Sequence, residues 1–113
     1  MRASAKLLLV ESREVARELL ADHFRALGYE VIEAHSLAEA TMCLDGGEID
    51  LWVVSVQACP PSVDLASALC AAQRVVFLGP REAVERLGSR ALAFSEPLDL
   101  DELSRRMVAG ARY

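Results

Sequence analysis

Five short apolar runs recur along the chain, spaced so that one helix fits after each: KLLLV (6–10), EVIEA (30–34), DLWVVSV (50–56), RVVFLG (74–79) and ALAFSE (91–96). Three of them are apolar almost throughout, as strands covered on both faces are, and this implies a parallel sheet with helices on each side. Helix-period segments separate the runs, with no repeat, low-complexity stretch or linker between them. Strict alternation of this kind implies right-handed strand–helix–strand crossovers.

The helices are marked by their ends. Ser12 is placed to cap a first helix on which Ala16, Leu20, Phe24 and Leu27 share a face, and Gly28 is placed to stop it in a left-handed turn. SLAE (36–39) reads as a capping box, Ser36 with Glu39 three residues on, opening a second helix that runs to Gly46 and Gly47. A third starts near Ser62 and carries Leu65 and Leu69; a fourth has Pro80 at its first position and Gly88 at its end, little more than two turns away. Asp99 and Glu102 form an acidic capping pair for the last, where Leu100, Leu103 and Met107 return at helical spacing.

Five strands alternating with five helices over residues 1–113 make one α/β domain. The expected fold is a flavodoxin-like three-layer (βα)5 sandwich with a parallel sheet of order 2-1-3-4-5 and short third and fourth helices. In such a sheet the functional crevice lies beyond the C-terminal strand ends. Those ends carry Glu11 and Ser12, Ser55, Gly79, and Glu96-Pro97.

Composition narrows the function. With 53% hydrophobic and 26% charged residues and a formal net charge of −5, the chain is globular and lacks the basic surface that nucleic acid or an anionic membrane requires. Cys43, Cys59 and Cys70 are odd in number and show no CxxC or Cys/His ligand spacing, so no disulfide framework or zinc site is indicated. Leu7 to Val10 is too short for a signal h-region, and no run approaches the ~20 residues that span a bilayer; a cytoplasmic location is expected. ESRE after the first strand has no glycine-rich phosphate loop.

KLLLVES, ALGYEVIEA, DLWVVSV, RVVFLG and SEPLDLDEL together resemble, in order and near spacing, the landmarks of the receiver domains of two-component response regulators. The resemblance covers nearly the whole chain. It implies a bacterial signalling domain in which two acidic residues after strand 1 hold Mg²⁺, an Asp ending strand 3 accepts phosphoryl, a Ser or Thr ending strand 4 bonds it, and a Lys ending strand 5 balances charge. Carried over by position, those roles fall on Glu11 and Ser12, on Ser55, on Gly79 and on Glu96, and only Glu11 keeps the chemistry. Ala93 stands where the family has its switch aromatic, and Glu96-Pro97 matches the family's Lys-Pro bond, implying a cis peptide.

Each departure has a physical meaning. Mg²⁺ wants hard, preferably anionic oxygens, and Glu11 is the one acidic ligand carried over, so no metal and no cofactor are expected. A serine hydroxyl is a weak nucleophile without a base, and His23 and His35 fall away from the strand ends, so no catalysis is expected. Glu96 inverts the charge of the lysine it replaces. At about 6 Å and an effective dielectric near 20, Glu11 and Glu96 would repel by about 3 kcal/mol, roughly two pKa units. One of them is expected to protonate, to turn to solvent, or to accept a hydrogen bond from Ser12 or Ser55; a shared cation is the less favoured outcome, with Asp64 the nearest third carboxylate.

The segments after strands 3 and 4 are compressed relative to the family pattern, each by roughly a helical turn. That alters the surface built from helix 4, strand 5 and helix 5, which here offers Arg81, Arg86, Asp101, Arg105 and Arg106 as a candidate interaction surface, a solvated face being the simpler reading. Trp52 reads as packing, ACPPS (58–62) as a stiff turn, Cys59 as an inert thiol and Ser55 as a satisfied hydroxyl. The expected function is that of a pseudo-receiver acting through phosphorylation-independent binding to another signalling protein or to a second copy of itself as a homodimer. The alternative is an atypical receiver still controlled by phosphorelay or by a small ligand in the crevice.

Overall fold

The computed structural model describes residues 5–42, 49–56, 75–87 and 92–110. Five strands, β1 (Lys6–Val10), β2 (Glu30–Ala34), β3 (Leu51–Ser55), β4 (Val75–Gly79) and β5 (Leu92–Ser95), form one wholly parallel sheet of order β2-β1-β3-β4-β5. The described helices are α1 (Glu14–Ala26), α2 (Leu37–Met42), α3 (Arg81–Leu87) and α4 (Leu100–Gly110). The flavodoxin-like arrangement read from the sequence is therefore the one the chain adopts. The helix anticipated from Ser62, with Leu65 and Leu69, lies outside the described residues, as do the three cysteines, Asp64, ACPPS, Gly46, Gly47 and Gly88.

Burial follows the strand period. Leu7 and Leu9 face one side of β1 and join Leu20, Ala21 and Phe24 of α1, Val53, Val76, Leu78, Phe94 and Leu103 of α4 in one buried cluster. Leu8 and Val10 face the other side, with Ala34, Ala40 of α2, Trp52, Val54, Val75 and Phe77. Side chains alternate across a strand, so a central strand covered on both faces must be apolar at every position, as β1, β3 and β4 nearly are. The N-terminal edge is pinned at Asp50, whose backbone N–H donates to the Lys6 carbonyl at 2.9 Å while its carboxylate accepts the Lys6 N–H at 2.7 Å.

Most helix ends behave as their residues dictate. Gly28 takes a φ of 100° after α1. The Ser36 hydroxyl accepts the Glu39 N–H at 3.1 Å, and the Asp99 carboxylate accepts the N–H groups of Asp101 and Glu102 at 3.0 and 3.1 Å. Three expectations are corrected. The N-cap of α1 is Arg13 rather than Ser12, because the Glu11 carboxylate reaches forward to take the Arg13 N–H at 3.0 Å. Leu27 lies beyond the last helical turn and is 43% exposed, so the buried stripe of α1 is Leu20, Ala21 and Phe24. Pro80 precedes the first residue of α3, its carbonyl accepting the Val84 N–H at 3.1 Å, so it occupies the cap rather than the first helical position.

α1 and α4 are tied by His23 and Ser104. The Ser104 hydroxyl donates to the Leu100 carbonyl at 2.7 Å, so the His23 Nε2–H donates to Ser104 Oγ, also at 2.7 Å. Phe24 is fully buried with its ring edge-on to Tyr29, so Phe24→Ala should lower the unfolding free energy by about 3–5 kcal/mol. Val15→Ala, at a position 71% exposed, should stay within about 0.5 kcal/mol. Urea titrations followed by circular dichroism read both.

Candidate functional site

Parallel pairing brings the strand tips into one row. Val10 pairs with Ala34 and Val54, Ser55 with Leu78, and Gly79 with Ser95, so the residues that follow these pairs meet at one edge of the sheet. Glu11 follows β1 there, its N–H bonded to the Ala34 carbonyl at 3.0 Å; Glu96 follows β5, its N–H bonded to the Gly79 carbonyl at 2.8 Å. Glu11, Ser55 and Gly79 are buried, Glu96 is half-buried and Ser12 is exposed. The sequence-derived residues thus converge, except that Ser12 points away into solvent. The Glu96-Pro97 peptide is cis.

The carboxylate of Glu11 is only 1% exposed and has to be met by positive charge or by donors. Arg13 supplies both. Its Nη2 lies 2.8 Å from Glu11 Oε1, while its backbone N–H and Nε reach Oε2 at 3.0 and 3.4 Å. The same Nη2 sits 2.5 Å from Glu96 Oε2 across the crevice. Hydrogen bonds first to Glu11 and then to Glu96 hold the Arg13 guanidinium more firmly protonated than an ordinary arginine. The expected standoff between the two glutamates is therefore corrected: a guanidinium that the position-by-position reading did not include lies between them.

Arg17 supports the arrangement from α1. Its Nη1 donates to the Glu11 carbonyl at 3.0 Å and its Nε lies 3.6 Å from Glu33 Oε1 on β2, which also meets Arg25 at 3.1 Å. Arg13 and Arg17 escape a position-by-position comparison because neither stands where the resembled family has a functional residue. A charge count would have found Arg13: the strand ends carry two glutamates, and the nearest basic residue is two positions after Glu11.

At the tip of β4 the departure is steric as well as chemical. A Cβ built on Gly79 would overlap the Cγ2 of Val56, the residue that follows Ser55. The place a serine or threonine would need is already filled, and with a side chain that is stiff about χ1. Val56 was not singled out by the sequence, since only a three-dimensional contact distinguishes it from any other strand-end valine.

Mg²⁺, which the resemblance implies for a working receiver, does not fit these residues. Both oxygens of Glu11 and one of Glu96 are engaged by Arg13, and among the described residues no group of three His, Cys, Asp or Glu could hold a metal ion. Two hollows flank the site. One of about 220 Å³ lies between α1 and the β5–α4 turn, with Leu19, Leu20, Leu98 and Leu100 along its walls and Arg13 and Glu96 at its rim. The other, about 260 Å³, is bordered by Ala93, Phe94, Ser95 and Arg106. Ala93 is the small residue at the switch position, and Arg106 covers the neighbouring Phe94 ring at 4.7 Å.

Of the candidate interaction surface, Arg81, Asp101, Arg105 and Arg106 are exposed; the Arg86 side chain lies outside the described residues. Arg81 pairs with Glu85 at 2.9 Å, and Arg106 with Glu102 at 4.0 Å. No described helix is long and apolar enough to cross a membrane.

No family model and no curated protein matches the chain. Solved structures do. A response regulator from Thermotoga maritima aligns with a TM-score of 0.75 at 19% identity, over 94% of this chain and 96% of that one. The response regulator TrrA from the same organism, solved in complex with Mg(2+)-BeF, gives 0.77 at 21% identity over 93% and 97%. The chemotaxis response regulator CheY4 of Vibrio cholerae gives 0.72 at 17% over 94% and 98%. The chain has the fold of response regulator receiver domains, and identity at this level carries the fold alone.

Restoring the missing hydroxyl should be costly. Gly79→Ser is expected to destabilise the domain by about 1–3 kcal/mol through overlap with Val56. Adding Val56→Ala should return part of that loss, although Val56→Ala alone is itself destabilising. Denaturant midpoints of the two single variants and the double variant measure the coupling.

Proposed function

We propose that the chain is a pseudo-receiver, a non-enzymatic domain of a bacterial, cytoplasmic two-component-type system that acts by phosphorylation-independent binding to another signalling protein or to a second copy of itself. The observation that carries this reading is the filled tip of β4. Phosphoryl acceptance needs a nucleophile on β3, an oxygen partner on β4 and room for a tetrahedral group between them. Here the tips hold buried Ser55, Gly79 and the intruding Val56 side chain. TrrA, of the same fold, was solved with Mg(2+)-BeF; the corresponding strand ends of this chain carry Ser55 and Gly79, with Val56 against Gly79 and the Glu11 carboxylate engaged by Arg13, which supports the reading.

A domain without a trigger has no ligand-driven population shift to transmit, so its surface acts as it stands. The face of α3 and α4 supports such a role: Arg81, Asp101, Arg105 and Arg106 lie open to solvent, and Arg106 is anchored on Phe94. Mixed charge of this kind selects a partner by complementarity rather than by buried apolar area.

The test is a challenge with phosphoryl donors. After incubation with acetyl phosphate and Mg²⁺ the intact mass should be unchanged, and beryllofluoride with Mg²⁺ should leave amide resonances around Glu11 and Ser55 in place. A stoichiometric phosphoryl adduct, or shifts confined to those residues, would overturn the proposal. Ser55→Asp should remain unlabelled under the same conditions, because Gly79 and Glu96 still provide neither the hydroxyl nor the lysine; Mg²⁺-dependent labelling of that variant would count equally against the reading.

A further inference from the structure

We propose that Arg13 is a built-in cation: its guanidinium takes the position at the strand tips that a divalent ion would need, and by tying the β1–α1 turn to the β5–α4 turn it closes the crevice to metal. This deepens the pseudo-receiver reading by naming what keeps metal out. It is tested without any phosphoryl donor, so it can fail while that reading stands.

The geometry goes beyond a surface ion pair. Glu11 is 1% exposed, and its carboxylate accepts three N–H groups of a single residue, two from the side chain and one from the backbone of Arg13. The backbone contact fixes where the side chain starts: Arg13 is the N-cap of α1, and its carbonyl accepts the Arg17 N–H at 2.9 Å. From that fixed root the guanidinium spans the gap to Glu96, whose own N–H is bonded to β4. A planar fork with donors on several edges can satisfy two carboxylates at once, which an ammonium point charge does less well.

Two carboxylates share one positive charge, so the cluster keeps a net charge of −1. A divalent ion entering it would have to take the Glu11 oxygens from their donors and stand beside an arginine that stays protonated. The arrangement also inverts the ion pair that the resemblance implies, which has acids after strand 1 and a lysine after strand 5. Here the acid stands after β5 and the cation comes from the β1 side, and the pair closes the same gap with its polarity reversed.

Metal exclusion has three sources to weigh in this sequence, the carboxylates missing at Ser12 and Ser55 and the presence of Arg13, and variants isolate the part played by Arg13. Thermal unfolding of the whole chain would be followed with about 10 mM MgCl₂ or with EDTA, and Mn²⁺ binding read independently by water proton relaxation. Wild type and Ser12→Asp should show no metal-dependent change beyond about 1 °C, because position 12 is exposed and Arg13 still engages both oxygens of Glu11. Ser12→Asp/Arg13→Gln should gain about 3 °C or more with Mg²⁺ and bind Mn²⁺, the rise expected when ligand is well above its dissociation constant. Ser12→Asp/Arg13→Lys, which keeps a cation, should remain metal-insensitive. The proposal is overturned if Ser12→Asp alone responds to metal as strongly as the double variant, or if the Arg13→Gln double variant, folded by circular dichroism, does not respond at all. The tie to β5 is read separately: the drop in urea midpoint caused by Arg13→Gln should be smaller in a Glu96→Gln background, and equal drops in both backgrounds would overturn it.

Discussion

A carboxylate at the tip of a central strand, buried to 1% exposure, has to be met by charge and donors, and Glu11 draws those from the turn that follows it. Much of the local geometry depends on this need. Because the Arg13 N–H is spent on Glu11, α1 begins at Glu14 with Arg13 as its cap and Ser12 left in solvent. Because the guanidinium is held there, Glu96 can stand where a lysine would otherwise balance charge. Because the Glu11 carbonyl accepts Arg17, α1 is fixed over β1 and β2 at its N-terminal end, while Arg25 and Glu33 hold it further along. Removing the partner of a buried carboxylate leaves its charge uncompensated, so Glu11 and the partly exposed Arg13 are constrained together.

The strand tips are crowded for a second reason. Gly79 and Val56 form a close pair in which the absence of one side chain is what admits the other. On the proposed reading this makes the departures from the resembled pattern mutually consistent rather than separate losses. A hydroxyl on β4 would meet Val56, a metal would meet Arg13, and a nucleophile on β3 would stand beside neither a metal nor a lysine. Change at any one position would leave the others as they are.

The fold was legible because its signals are local and redundant. Each strand falls inside a run that the pattern marks, β1 and β2 to the residue, and the central strands β1, β3 and β4, covered on both faces, can be written in few other ways. The caps at Ser36 and Asp99 and the turn at Gly28 follow from side-chain chemistry within three or four residues. Ser12 misleads for the same reason: its type suits a cap, but a buried carboxylate one residue earlier competes for the helix N-terminus and wins. Leu27 continues the helical period past the point where the helix ends.

The sequence by itself determined the order of the elements, the apolar faces, the cis Glu96-Pro97 bond suggested by resemblance, and the set of positions that meet at the C-terminal edge of the sheet. These depend on spacing and residue type, which a chain carries in one dimension. Tertiary structure alone decided that Glu11 and Glu96 are joined through Arg13, that Arg17 braces the turn, and that Val56 fills the space beside Gly79. The first rests on a contact across 83 residues of sequence, the second on one across 6, and the third on whether a side chain packs against a neighbouring strand. A charge or a volume acts on whatever lies within a few ångströms of it, and in this sheet only the pairing of the strands sets those distances.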